Sequence, residues 1–294
     1  MTESSTSREV FSQPELWAGV ETILATAAGL PVDGERVAVV GCGTSWFMAQ
    51  AYAALREGAG QGETDAFTAS EFPAARRYDR IVTISRSGTT TEIVQLLQAS
   101  TTPSVLITAV AGGPAAAHAD AEIVLSDADE TSVVQTRFAT TTLALLRASL
   151  GTDLTEVVAD ATTALALPVE EAWVQADQLT FLGTGWTIGL AHEAALKLRE
   201  SSQSWTESYV AMEYRHGPIS IAEPGRVVWV FGPVPAGLAD DVAATGATLV
   251  TSDLDPLAHL VLLHRVAVAR AEARGLNPDT PRHLSRAVHL SAED

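Results

Sequence analysis

The sequence predicts a parallel α/β protein built from two similar units. Three observations carry that prediction. Apolar, β-branched runs alternate with alanine-rich helical stretches. Two of those runs end in Gly/Ser/Thr-rich turns that lead straight into helices. The opening pattern also recurs in the second half: LTFLGTGWTIGLAHEAALKLRE (179–200) aligns with VAVVGCGTSWFMAQAYAALRE (37–57), which puts Gly41 and Gly43 on Gly183 and Gly185. A chain of 294 residues has room for two units of roughly 120–140 residues each.

Residues 1–28 read as an N-terminal helical arm. RVAVV (36–40) is a strand that runs into the turn Gly41-Cys42-Gly43-Thr44-Ser45, and the helix 46–57 follows. DRIVTIS (79–85) is a second strand, leading through Arg86-Ser87-Gly88-Thr89-Thr90-Thr91 into the helix 92–100. SVLITAV (104–110) and EIVLS (122–126) are further strands, and a long apolar helix over roughly 133–150 closes the first unit, 29–165. The linker falls near 151–170, a stretch that itself looks helical. The second unit, 166–274, holds the repeated strand–turn–helix, the strands RVVWVFG (226–232) and ATLVTS (247–252), and a last helix near 256–274. Residues 275–294 form a C-terminal tail.

Composition narrows the function. With 47% apolar residues the chain can bury a core, and its single cysteine, Cys42, excludes an intramolecular disulfide scaffold and a cysteine-based zinc site. No uninterrupted apolar run reaches membrane-spanning length, and the first residues lack a basic region followed by an apolar one, so a soluble cytoplasmic protein is expected. The 36 acidic residues against 18 Lys and Arg give a net charge of −18, which repels nucleic acid and anionic membranes alike; neither is expected as a partner. An anionic ligand would have to be held by local donors against that field. Lys197 is the only lysine; every other basic side chain apart from histidine is arginine.

A strand, a small-residue turn and a helix together present free backbone N–H groups to an anion. GCGTS and SRSGTTTE both have this form, and the second adds the hydroxyls of Ser85, Ser87, Thr89, Thr90 and Thr91. The plain alternative is a pair of tight turns with hydroxyl caps. GCGTS lacks the third glycine of a dinucleotide fingerprint, and no Gly-Lys pair follows it as in a phosphate-binding loop of nucleotide hydrolases. The pattern favours a small phosphorylated ligand over a nucleotide, and no cofactor or metal is expected.

In HEAALKLRE, Glu193, Lys197 and Glu200 stand at i, i+4 and i+7, on one face of a helix. On an exposed helix these would be ordinary ion pairs. Here Ala194, Ala195 and Leu198 make the opposite face apolar, so a partly buried carboxylate suited to taking a proton beside a carbonyl is the functional alternative. Downstream, His216 precedes Gly217-Pro218, which predicts a loop histidine, either merely solvated or able to open a sugar ring near neutral pH.

Taken together, these residues resemble the SIS (sugar isomerase) family, in particular the isomerase half of glucosamine-6-phosphate synthase and its deaminase relatives. The resemblance runs through SREVFSQPE, GCGTS, SEF (70–72), SRSGTTTE, ETSVVQTRFATT (130–141), EAALKLRE, ESYVAMEYRHGP (207–218) and NPDTPRHLSRAV (277–288). It implies two tandem SIS domains, each a parallel sheet flanked by helices in three α/β/α layers. It implies that Ser85, Ser87 and Thr90 hold a sugar phosphate with Arg86 between them, that Thr44 and Ser45 lie at the same pocket, and that Gln135 and Thr136 close over the sugar. Glu200 matches the family's proton-transferring glutamate, Glu193 and Lys197 its neighbours, and His216 a ring-opening histidine supplied across a homodimer interface, so that the tail and two chains would share each site.

Two departures bear on the reaction. No N-terminal glutaminase domain is seen and Cys42 lies in the sugar loop, so glutamine-dependent amide transfer is not expected. The lysine that forms a Schiff base with the ketose in relatives is replaced by Arg286, which stays protonated and cannot attack a carbonyl. C2 proton abstraction from a hexosamine 6-phosphate, of the glucosamine or N-acetylglucosamine type, still leaves several outcomes. Arg286 tilts the expectation to a lyase that eliminates water, with Arg286 stabilising developing negative charge. Isomerisation or deamination of glucosamine 6-phosphate, deglycation of sugar–amine adducts and a non-catalytic phosphosugar sensor stay open, as does Lys197 taking the place of the missing lysine.

Overall fold

The computed structural model describes residues 3–290. In chain order the elements are α1 (Ser5–Phe11), α2 (Gln13–Ala18), α3 (Val20–Leu24), β1 (Val37–Gly41), α4 (Thr44–Gly58), β2 (Thr64–Thr68), β3 (Arg80–Ile84), α5 (Thr91–Ala99), β4 (Ser104–Thr108), β5 (Ala121–Val124), α6 (Arg137–Ser149), α7 (Thr155–Ala166), α8 (Glu171–Gln175), β6 (Leu179–Gly183), α9 (Thr187–Ser202), β7 (Thr206–Val210), β8 (Val227–Phe231), α10 (Leu238–Thr245), β9 (Thr248–Val250) and α11 (Pro256–Ala273). Short 3₁₀ turns join several of them. Among the described residues no helix is long and apolar enough to cross a membrane.

The strands form two wholly parallel sheets, ordered β2-β1-β3-β4-β5 and β7-β6-β8-β9. The expected α/β class with helix-flanked parallel sheets is therefore present. Every residue of β1, β4, β6 and β8 is buried, which is what a parallel sheet covered on both faces requires. The two strands that sequence patterning missed, β2 (TDAFT) and β7 (TESYV), lie at sheet edges and are only partly buried, so polar residues are tolerated there. The long helix expected from 133 begins only at Arg137.

The chain forms two compact units, and neither is a continuous stretch. The first-sheet unit comprises residues 15–130 and 137–154 with the chain from Ser285; the second-sheet unit comprises the chain up to Pro14, Thr131–Thr136 and Thr155–Leu284. The partition thus interleaves the segments that the sequence divides at 28, 165 and 274. In the first-sheet unit, Ala38, Val40, Ile81 and Leu106 pack with Ile93 and Leu97 of α5. In the second-sheet unit, Leu182, Val228 and Val230 pack with Tyr214 and with Leu238 and Val242 of α10. There, α11 also packs on α9 and α7.

The glycine turns have the same geometry in both sheets. Gly43 and Gly185 take φ of 55° and 58°, and neither has a neighbour that a side chain would strike. Gly41 and Gly183 are constrained differently: a Cβ on Gly41 would lie 2.5 Å from the Ser45 backbone, and one on Gly183 would lie 2.3 Å from Thr187 O. Only glycine lets the helix start that close to the strand end.

Candidate active site

Strand order marks the candidate ligand position of the first sheet. The chain passes from β1 to β2 on one side, then returns to β3 on the other, so the C-terminal ends of β1 and β3 flank a topological switch point. Both hydroxyl-rich turns leave from those ends. Thr44 and Ser45 are buried in the first turn of α4. Ser85 and Ser87 are buried, and Thr90 is the N-cap of α5 with no side-chain capping bond, so its hydroxyl is not consumed by the helix it starts. Ser85 Oγ is buried without a hydrogen-bond partner, a cost that a ligand oxygen would remove. Ser87 Oγ accepts from Thr89 N at 3.2 Å and Thr89 Oγ1 at 2.9 Å, which leaves its own proton to donate. Cys42 lies in the first turn, and burial pushes its thiol pKa up, the opposite of an activated nucleophile.

Arg86, between the two serines, is also engaged by the chain itself. Its buried guanidinium lies 3.4 Å from Glu130 Oε2 and donates to the Arg286 carbonyl at 3.2 Å. Burial lowers its pKa, with Glu130 opposing and Arg286 adding to the shift. Glu130 also accepts from Arg137 N, at the start of α6. The Arg286 guanidinium pairs with Asp129 Oδ1 and donates to the Glu130 carbonyl. Arg86 and Arg286 thus tie the chain end to the 129–130 corner. Further along, Thr91 N donates to Val288 O, and Leu290 N to Thr91 Oγ1.

The proton-transfer candidates belong to the second-sheet unit, on α9. Glu193, Lys197 and Glu200 do share one face: Lys197 Nζ is 2.5 Å from Glu200 Oε2 and 3.6 Å from Glu193 Oε1. This is not the exposed ion-pair ladder of a surface helix. The side chains of Glu193 and Lys197 are 0% and 1% exposed; Glu200 alone retains access, at 19%. Glu200 borders a cavity of about 410 Å³ that also includes Arg199, Gln203, Ser204, Arg282 and His283. Behind the cluster, on α11, His264 lies 3.4 Å from Gln13 Nε2; burial, then the Lys197 charge, pushes its pKa down to about 3. His192 on α9 pairs with Ser208 Oγ at 2.9 Å, and burial and Arg199 lower its pKa.

His216 ends a short 3₁₀ turn, Glu213–His216, rather than sitting in open loop, and it is exposed. Gly217 at φ 135° turns the chain directly after it. The segment bearing Gln135 and Thr136 is fastened from two sides within its unit. The buried Glu9 carboxylate on α1 accepts from Thr131 N at 2.6 Å, Ser132 N at 3.2 Å and the Ser132 hydroxyl. Val133 N donates to Asp279 O, whose carboxylate in turn accepts from Ser5 N and Thr6 N at the start of α1. Gln135 Oε1 is buried without a hydrogen-bond partner. Glu9, Glu130 and Asp279 lie inside or beside the motif stretches, but their partners are distant in sequence and no local spacing announces them.

Parallel sheets, a switch point and hydroxyl turns at its rim define an α/β protein of the class in which strand ends are the usual ligand position. More particularly, residues 32–150 match the SIS domain model, and the chain is similar to part of the isomerizing glutamine–fructose-6-phosphate aminotransferases. It is 27% identical to the aminotransferase of Aeropyrum pernix over 96% of this chain and 56% of that protein. It spans about half the length of the relatives it matches. Among solved structures, the glucosamine-6-phosphate deaminase of Thermotoga maritima superposes with a TM-score of 0.81 at 24% identity, covering 98% of this chain and 100% of that one. The C-terminal domain of the Francisella tularensis glucosamine–fructose-6-phosphate aminotransferase gives 0.80 at 24% identity, covering 95% and 98%. At these identities the structures show a common fold.

Proposed function

We propose that this chain is a phosphosugar enzyme of the isomerase/deaminase type, acting on a 2-amino- or 2-acetamido-hexose 6-phosphate. The observation that carries the reading is the α9 cluster, in which Glu193 and Lys197 are buried and the third charged side chain, Glu200, keeps access to a cavity. In this reading Ser85, Ser87 and Thr90, with Thr44 and Ser45, take the phosphate. Glu200 removes the C2 proton of the open-chain sugar and returns it to C1, while Lys197 and Glu193 fix its position. Gln135 and Thr136 cover the sugar. His216, supplied by a second copy in a homodimer, opens the ring, and the second sheet is read as a second SIS domain.

One feature weighs against the elimination reading and another against imine chemistry at Lys197. The Arg286 charge is already engaged by Asp129, so it is a poor stabiliser of a departing hydroxide. Lys197 is enclosed by two carboxylates, which weighs against its acting as a replacement Schiff-base amine. Incubation with glucosamine 6-phosphate or fructose 6-phosphate in heavy water should give deuterium at C2 or C1, and Glu200→Gln should abolish the exchange while phosphosugar binding remains. Exchange that survives in Glu200→Gln removes Glu200 from the mechanism. Binding without exchange in the unaltered chain would make it a sensor, and loss of water from the product would restore the lyase.

A further inference from the structure

The segment proposed to cover the sugar is held in place by residues far from it in the chain. Thr131–Thr136 belongs to the second-sheet unit, as do α1 and Asp279. Glu9 of α1 is buried, and a buried carboxylate destabilises the fold unless donors meet it. Among the described residues its donors are Thr131 N at 2.6 Å, Ser132 N at 3.2 Å and the Ser132 hydroxyl, all on this one segment. The same hydroxyl lies 2.8 Å from Val134 O, one residue before Gln135. Val133 N donates to Asp279 O at 3.0 Å. Asp279 then closes a circuit. Its carboxylate accepts from Ser5 N at 2.9 Å, Thr6 N at 2.8 Å and the Thr6 hydroxyl at 2.7 Å, which fixes the start of the helix that carries Glu9. Val10 beside Glu9 is buried, and α1 packs on α11.

The circuit fastens Thr131, Ser132 and Val133, and Gln135 and Thr136 follow directly. Gln135 Oε1 is buried with no hydrogen-bond partner, which costs free energy until a donor arrives. A segment free to relax would turn that oxygen to water. One pinned by charge-assisted bonds keeps it in position for a sugar hydroxyl, so less ordering is left for the substrate to bring about. We propose that Glu9 is a positioning residue for the substrate: it sets where Gln135 and Thr136 stand without meeting the sugar, and it makes the N-terminal helix part of the binding apparatus. The inference rests on the phosphosugar reading, in which Gln135 and Thr136 cover the sugar, and adds how that cover is held. Without the Glu9 charge the segment is out of place part of the time, and apparent affinity falls with the fraction in place.

The test is a double-variant cycle on the full chain, read as the dissociation constant of glucosamine 6-phosphate by titration calorimetry. Glu9→Gln keeps the shape and removes the charge; it should weaken binding about tenfold. Gln135→Ala should weaken it by a similar factor. Because Glu9 acts through the segment, the double variant should bind no more than about threefold less tightly than Gln135→Ala alone, whereas independent effects would multiply to about a hundredfold. A charge that only stabilised the fold would leave the affinity of the folded chain alone. Circular dichroism would verify folding. Should Glu9→Gln not fold, Ser132→Ala, which keeps the carboxylate and both backbone bonds, takes its place in the cycle with an expected loss of about threefold. Unchanged affinity in the folded variant, or losses that multiply with Gln135→Ala, overturns the positioning role and leaves the phosphosugar reading standing. Failure of the unaltered chain to bind glucosamine 6-phosphate would overturn both.

Discussion

Lys197 is bound on two sides by its own helix: Glu200 at 2.5 Å, one turn ahead, and Glu193 at 3.6 Å, one turn behind. The two carboxylates differ in access rather than in chemistry. Glu193 is sealed in with the lysine, while Glu200 opens to the cavity. This asymmetry separates a structural carboxylate from one able to meet a substrate.

The buried pair should be costly to break from one side. Lys197→Met leaves the Glu193 charge buried without that cation and should destabilise the fold by about 3–5 kcal/mol. Adding Glu193→Gln should recover most of the loss. Denaturant melts of the single and double variants would show it; equal losses in both would mean that the two residues are not coupled.

The 85–91 turn, as the proposed phosphate site, should discriminate by charge. Ser87→Ala removes a hydroxyl whose proton is free to donate, at a net cost of about 1–2 kcal/mol in binding a phosphorylated sugar. The unphosphorylated sugar should bind the variant and the parent alike. Affinities of glucosamine 6-phosphate and glucosamine, measured on both proteins, test this.

The two kinds of glycine should respond differently to alanine. Gly41→Ala and Gly183→Ala drive a Cβ into backbone and should cost ~3 kcal/mol or more. Gly43→Ala meets open space and pays only for its positive φ, about 1 kcal/mol. Thermal melts that ranked Gly43→Ala as the worse change would contradict the close approach of strand and helix.

Acid should unfold the second-sheet unit through its buried histidines. Burial pushes His259 and His264 down to about 3, the latter with help from Lys197. Between about pH 6.5 and 3 the unfolded chain binds protons that the folded chain refuses. Stability is therefore full above about pH 6.5 and falls as the pH drops toward 3, by up to about 1.4 kcal/mol per pH unit for each histidine. His264→Gln should flatten the profile when stability is measured across this range.

Much of the architecture was legible because parallel central strands, buried on both faces, must be continuous apolar runs, and those of β1, β3, β4, β6 and β8 stand out. The edge strands β2 and β7 did not, since one unpaired side and partial burial remove the pressure for such a run. The start of α6 was overrun for a related reason. Val133 and Val134 look like helix core, yet Glu9 and Asp279 hold the segment as a loop.

By itself the sequence determined the α/β class, the two glycine turns, the hydroxyl loop and the shared face of Glu193, Lys197 and Glu200, because each follows from backbone period or local spacing. Tertiary structure alone decided how each charge is engaged and which keeps access to solvent. It buried Lys197 with Glu193, engaged Arg286 with Asp129 and Arg86 with Glu130, and left Glu200 and Arg282 at a cavity. Those outcomes depend on partners distant in the chain and on exclusion of water, and neither is written in the order of the residues.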